Sequence, residues 1–441
     1  MRHLLLLAVP LLRAATIHTD FEGAAPGRMA PVRYDLVEPM RHLLLLAVPL
    51  LHAATIHTDF EGGALGRVEK VSDSHFRLAV KGEADQDHRN RQANWYYFRV
   101  DEASPSRPLT FDIVDLPGEY NYQPNRGAIT KDTPPAISYD GVHWEHVTTF
   151  EYDPDEPKLR LHIQPLRTRF WVAHCPPYTN GTLDRLRDEI RSSRDFEEQT
   201  IGKTAGGRDL VLWTITHAPA AGKPTIWLMV RQHSWEAGSS WTGEGAIRAL
   251  LGTSAESARL RGSAVWKILP LCDPDGVARG GVRFNVNGFD LNRNWDVEDP
   301  VKMPEITAQR NAVKQWLDAG HHIDLLLSLH NTETGEYLEG PPDNGGGGKF
   351  LPLAKRVFEA LSQHTTFAPT RPLTFAEPTT TQGKKGRMTA IQGLYADFGT
   401  PGFLMEQRIC FNPKLGHLPE IGDRMKFGRE LVEALAGVLA Q

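Results

Sequence analysis

A chain of 441 residues with 40% apolar and 23% charged side chains has a globular composition and is long enough for two or three domains. Its net charge of -5 leaves no basic footprint, which argues against nucleic acid as a partner. No apolar run reaches the roughly 18 residues of a membrane-spanning helix, and Cys175, Cys272 and Cys410 have neither zinc-finger spacing nor a disulfide framework, so they read as buried thiols.

Residues 1–54 come first. Residues 1–28 reappear as 40–67 with three differences, Arg13/His52, Ala24/Gly63 and Pro26/Leu65. Each copy has a basic start, a short leucine-rich run and a small pair (Ala14-Ala15, Ala53-Ala54), the pattern of a secretory signal peptide. A repeat of this piece alone builds no solenoid core. It reads as a tandem duplication or a misplaced start, with Met40 as the initiator and a mature chain from near Thr55. Export to the periplasm or the exterior is therefore expected; the competing reading folds both runs as paired strands or a buried helix.

Residues 55–173 carry short alternating runs at 75–80, 94–100, 109–114, 142–147 and 160–163, with Asp140-Gly141 in a turn. Strands at this spacing, without a helical stretch, predict an all-β sandwich. Residues 175–182 read as a linker, with Thr182 as the N-cap of a helix from Leu183. Across 174–441 strands then alternate with helices, which predicts an α/β domain with a mixed central sheet flanked by helices. Strands are expected at 209–216, 225–230, 264–271, 323–329 and 402–405, and helices at 239–251, 304–319, 350–364 and 423–440. The run Gly345 to Gly348 reads as a flexible loop, because no strand leads into it and no Lys-Ser/Thr follows.

Ligands of open α/β sheets gather at the carboxyl ends of strands, and His233, Asp273, His330 and Glu406 fall there. His233 and Glu236 follow the apolar run 225–230, and His330 comes 94 residues after Glu236. Two imidazoles and a carboxylate hold one zinc ion at three points and leave the fourth for water, an arrangement that is catalytic rather than structural. Glu406, at the end of an apolar strand, suits a general base whose proton affinity burial has raised; the plain alternative is a glutamate bound to Arg408. Asn292 and Arg293 offer an amide and a bidentate guanidinium for a carboxylate. Arg283 offers a charge for an oxyanion, and Asp290 a carboxylate to orient a ligand imidazole from behind. Alone, these four read first as a polar turn with surface arginines.

Together the motifs resemble the zinc carboxypeptidases of the M14 family. The pieces are His233-Ser-Trp-Glu236, Asp273-Pro-Asp-Gly276, Arg283, Asp290-Leu-Asn-Arg293, Ser328-Leu-His330 and Leu404-Met-Glu406, in the family's order. Asn94-Trp-Tyr-Tyr-Phe-Arg99 and the segment around Pro177-Tyr178-Thr179 are similar to the β-sandwich of the cytosolic-carboxypeptidase-like branch. The resemblance implies zinc on His233, Glu236 and His330, Glu406 as general base and acid, and Arg283 as carbonyl polariser. Asn292 and Arg293 would then receive the free terminal carboxylate of a peptide substrate. Two departures stand out. Ser234 and Trp235 replace the usual proline and glycine, so a tryptophan beside the metal is expected to narrow or reshape the pocket without removing a ligand. No tyrosine is placed to close over the substrate, and Tyr395 fits poorly.

Residues 382–387 (Gln-Gly-Lys-Lys-Gly-Arg) read either as a basic pocket favouring an acidic outgoing residue or as a solvated loop. Two other functions are carried beside the peptidase: a zinc amidohydrolase of small N-acyl amino acids, and an inert binder of peptide or glycan. No residue pattern sets an oligomeric state.

Overall fold

The structure, a computed structural model, describes residues 53–125, 127–342, 348–377 and 385–440. The repeated apolar runs, residues 345–347 of the glycine run and residues 382–384 of the basic loop lie outside the described residues.

An all-β domain precedes an α/β domain. In the first, one five-stranded sheet runs Thr55–His57, Tyr97–Asp101, Phe170–Ala173, Ala136–Ser138, Glu145–His146; the other runs Phe150–Asp153, Lys158–Ile163, Leu109–Val114, His75–Ala79, Val68–Ser72. Alternation explains why they pack. Leu159, Leu161 and Ile163 point inward from one strand and meet Phe98, Val100, Phe170 and Val172 from the other sheet in a common core. A small third sheet, of Glu83–Ala84, Arg91–Gln92, Gly118–Tyr120 and Gln123–Asn125, belongs to the same domain.

The α/β domain is built on an eight-stranded mixed sheet. Its centre is four parallel strands in the order Val265–Leu269, Thr225–Val230, Leu325–Thr332, Gly402–Arg408. These strands are mostly apolar until their carboxyl ends because both faces are covered. Ile226, Leu228 and Val230 meet helices Ala237–Leu251 and Ile421–Leu439 on one side. Trp227 and Met229 meet Ile306, Val313, Ile391 and Leu394, from helices Pro304–Asp318 and Ala390–Phe398, on the other. Each fully buried side chain of this kind contributes about 1.5–3 kcal/mol relative to exposure.

Several boundaries differ from expectation. The helix after the linker is Asn180–Ile190, capped by Thr179 rather than Thr182. Thr182 is its third residue and completes a reciprocal capping box, so the hydroxyl that resembled a cap lies one turn inside. The strands carrying His330 and Glu406 continue to Thr332 and Arg408, because Asn331 and Gln407 extend the ladder as His330 and Glu406 themselves do. The edge strand Phe196–Lys203 and helix Ala390–Phe398 were not expected. All three cysteines are free and buried. Among the described residues, no helix is long and apolar enough to cross a membrane.

Candidate metal centre and active site

The carboxyl edge of the parallel strands brings three distant side chains together. His233 and Glu236 lie in the turn after Thr225–Val230, and Glu236 is the N-cap of helix Ala237–Leu251, where the helix dipole favours a carboxylate. The turn is set by Arg231, which has a φ of +65° and donates from Nε to the Ser234 carbonyl (2.9 Å) and from Nη1 to Ser240 Oγ (3.0 Å). His330 arrives on the neighbouring strand. His233 Nδ1 lies 2.7 Å from Glu236 Oε1, and His330 Nδ1 lies 2.9 Å from Glu236 Oε2. Donor atoms of the three residues lie within 4.8 Å of one another, and all three residues are buried.

The outward nitrogens show that this set fits zinc. His233 Nε2 is 3.0 Å from Asp290 Oδ1; His330 Nε2 is 3.0 Å from Gln232 Oε1 and 3.0 Å from Ser328 Oγ. Acceptors behind each ring can take an Nε2 proton, the tautomer that would free Nδ1 to coordinate a metal placed between the rings and Glu236. Burial alone would raise the Glu236 carboxyl, but His233 and His330 hold it far below the usual range. Asp290 behaves alike: burial opposes ionisation, and Arg283 and His233 overcome it. His233 is pushed up by Glu236 and Asp290 against burial and Arg283, whereas burial lowers His330.

Arg283 donates from Nε to Asp290 Oδ2 at 2.7 Å. Asp290 thereby joins a ligand histidine to the arginine. Glu406 stands directly across the parallel ladder from His330. Burial first, and the Glu236 charge second, push its carboxyl well above the ordinary value against the pull of Arg283. Its Oε2 is buried with no hydrogen-bond partner. Arg408 is no partner for it: that guanidinium donates to Glu336 at 2.9 Å.

Arg293 lines a cleft with Arg283, Asp290, Asn294 and Arg387, whose other wall is Asp85, Arg89 and Tyr120 of the β domain. Asn292 is more committed than the resemblance implies. It is 3% exposed, its Oδ1 accepts the Ala390 backbone N–H at 2.9 Å, and its Nδ2 lies 3.4 Å from His330 Nε2. Asp273 is not part of the His233, Glu236 and His330 cluster: it caps helix Pro274–Ala278 through the Gly276 N–H, and burial raises its carboxyl to about 7.

Trp235 does not narrow the pocket, contrary to expectation. It is 3% exposed and turned into the interface between the domains, in one cluster with Trp95, Tyr97, Tyr178 and Val282. Its backbone N–H donates to the Val282 carbonyl at 3.0 Å, and its ring lies 6.0 Å from that of His174. Tyr395 packs edge-on against Phe350. Four contributors went unforeseen: Gln232 behind His330, and Glu83, Asn94 and Glu333. Asn94 Nδ2 donates to Glu333 Oε1 at 2.9 Å across 239 residues, a pairing that no local pattern signals.

Residues 56–174 match the cytosolic carboxypeptidase N-terminal domain, and residues 188–337 match the zinc carboxypeptidase family. Cytosolic carboxypeptidase 3 of Bos taurus is 26% identical over 317 residues, 67% of this chain and 31% of that protein. Cytosolic carboxypeptidase 6 of Caenorhabditis elegans is 28% identical over 260 residues, 56% of each. The chain thus spans from about a third to just over half the length of these curated relatives. Among solved structures, a metallo-carboxypeptidase from Burkholderia cenocepacia superposes with a TM-score of 0.75 at 20% identity, over 88% of this chain and 99% of that one. One from Pseudomonas aeruginosa gives 0.73 at 23%, with the same coverage; both likenesses are of fold. The comparisons correct the expectation of export. The residues that would begin a mature secreted chain match the cytosolic carboxypeptidase N-terminal domain, and the curated relatives carry that name, so the comparisons run against export. A basic start before leucines is a cue of composition, and composition alone does not make a segment an export signal.

Proposed function

The chain carries a zinc carboxypeptidase domain behind a cytosolic carboxypeptidase N-terminal domain, and on that premise we propose that it hydrolyses the C-terminal peptide or isopeptide bond of peptides. The observation that carries the reading is the convergence of His233, Glu236 and His330 with Glu406 across the ladder and Arg283 tied to Asp290. His233, Glu236 and His330 would hold one zinc ion. When bound, zinc supplies Lewis acidity that brings the pKa of water toward neutrality.

The remaining work falls to side chains. Glu406 takes the proton of the attacking water and passes it to the leaving amine, so one C–N bond breaks, one C–O bond forms and no charge is left over. Its raised proton affinity supports both steps. Arg283 faces the oxygen on which negative charge develops, and Asp290 keeps that guanidinium aimed. Arg293 receives the terminal carboxylate as a bidentate partner. Asn292, already bonded to Ala390 and close to His330, serves that binding by fixing the segment from which Arg293 projects. Arg387 in the same cleft supports a preference for an acidic outgoing residue.

Purified protein should release a free C-terminal amino acid from N-blocked peptides, lose that activity to a chelator and regain it with zinc. Hydrolysis of N-acyl amino acids alone, or bound zinc without turnover of either class, would replace the reading with the deacylase or the inert binder.

A further inference from the structure

The loop that carries Arg283 is gripped from the other domain. Glu83, on the short strand Glu83–Ala84 of the β domain, sets one oxygen, Oε2, against three consecutive backbone donors: Val282 N–H at 2.9 Å, Arg283 N–H at 2.5 Å and Phe284 N–H at 3.0 Å. Its other oxygen pairs with the Arg279 guanidinium. Successive amides turned toward one point make an anion-binding nest; here the anion is a side chain from 200 residues away. Three residues further on, the Gln86 N–H donates to the Gly288 carbonyl at 3.1 Å. Gly288 has a φ of +84°, and a Cβ there would meet the Gln86 backbone at 2.7 Å, so the close approach needs glycine. The segment spanned by these two grips, 282–288, contains Arg283, and Asp290 lies two residues beyond it.

We infer that Glu83 is a positioning residue for Arg283: the β domain holds the carbonyl-polarising guanidinium in register without touching substrate. The inference rests on the role given to Arg283 above. The guanidinium is fixed at two points, its backbone by Glu83 and its Nε by Asp290. Without Glu83, three amides lose their acceptor and Arg279 loses its counter-charge, so the loop relaxes. A displacement of about 1 Å at a positioning group can cost about 100-fold in rate. The loss falls on kcat, because the contact with developing charge is made in the transition state. KM should move less, because Arg293 lies outside the segment Glu83 grips and its guanidinium is held by the Asn292 carbonyl.

The test uses the full zinc-loaded chain with Glu83→Ala and Glu83→Gln, an N-blocked peptide, metal analysis, and amide hydrogen exchange over residues 282–284. Glu83→Ala is expected to lower kcat about 10–100-fold with KM within about threefold, unchanged zinc content and faster exchange at these amides. Glu83→Gln keeps an acceptor oxygen and should recover most of kcat. Wild-type kcat in folded Glu83→Ala, an equal rise in KM, unaltered exchange, or failure of Gln to rescue would each overturn the inference. If the alanine variant does not fold, Glu83→Gln decides: faster exchange at 282–284 with unchanged kcat overturns it, and a kcat that falls together with faster exchange, at unchanged zinc content, upholds it. Arg283→Ala, run in parallel, separates the two levels. Activity retained there removes the role of Arg283 itself, whereas activity lost there but kept in Glu83→Ala removes only the role of Glu83.

Discussion

Asp290→Asn exchanges one oxygen for an amide where the metal centre meets the Arg283 loop. Asp290 Oδ1 lies 3.0 Å from His233 Nε2 and accepts the Asn292 backbone N–H at 2.9 Å; Oδ2 accepts from Arg283 at 2.7 Å. An asparagine that keeps its oxygen toward His233 turns its NH2 against the Arg283 N–H, donor facing donor. The flipped amide meets the Asn292 N–H instead and makes His233 accept at Nε2, which moves the ring proton to Nδ1. A protonated Nδ1 facing Glu236 cannot bind a metal. Either orientation forfeits a hydrogen bond to a charged group, about 1.5–3 kcal/mol. The substitution should weaken zinc binding about 10–100-fold, or about 1.4–2.7 kcal/mol, and lower kcat comparably. Competition with a chromogenic chelator reads the affinity directly. A folded Asp290→Asn protein with wild-type affinity and turnover would refute the chain of contacts from Arg283 to His233.

Three further outcomes are expected. Glu406→Gln keeps the shape but not the proton acceptor, so kcat should fall about 100–10,000-fold while metal content stays intact; near-normal rates in a metal-loaded variant would take Glu406 out of the mechanism. Trp235→Ala empties a fully packed site between the domains and should cost about 3–5 kcal/mol of stability by urea unfolding; an unchanged midpoint would contradict the sealing role of the indole. His174 is buried beside Tyr96 and Trp235, and burial drops it from 6.5 to about 4. The unfolded chain therefore takes up this proton first, so the contribution is fully present above pH 6.5 and is lost as pH falls toward 4. That gap corresponds to about 3 kcal/mol, and His174→Phe should flatten the acid side of the stability profile by this amount; an unchanged slope counts against it.

The strands and donors of the site were legible because each announces itself locally. Thr225–Val230 is an uninterrupted apolar run, and His233, His330 and Glu406 follow such runs at the edge where ligands collect. Elements without a hydrophobic period were not. Phe196–Lys203 reads Phe-Glu-Glu-Gln-Thr-Ile-Gly-Lys and is mostly exposed, since an edge strand has little to bury. Helix Ala390–Phe398 is short and holds a glycine, though Thr389 and Gln392 spell a capping box that would have marked its start. Trp235 was misjudged because the neighbours that bury it, Trp95, Tyr97 and Val282 among them, are distant in sequence. Glu83 and Asn94 were invisible for a similar reason: their partners lie two hundred residues or more away.

The cross-ladder placement of His330 and Glu406 has a consequence for how this scaffold tolerates change. Neighbouring strands sit about 4.8 Å apart wherever they pair, so the separation of His330 and Glu406 is set by the sheet, indifferent to the length of the excursion between them. Insertions or deletions in that excursion can retune selectivity while leaving the reactive spacing intact. A slip of a single residue in the pairing would instead throw the carboxylate to the opposite face, which makes ladder register, more than any turn, the quantity that natural variation has to preserve.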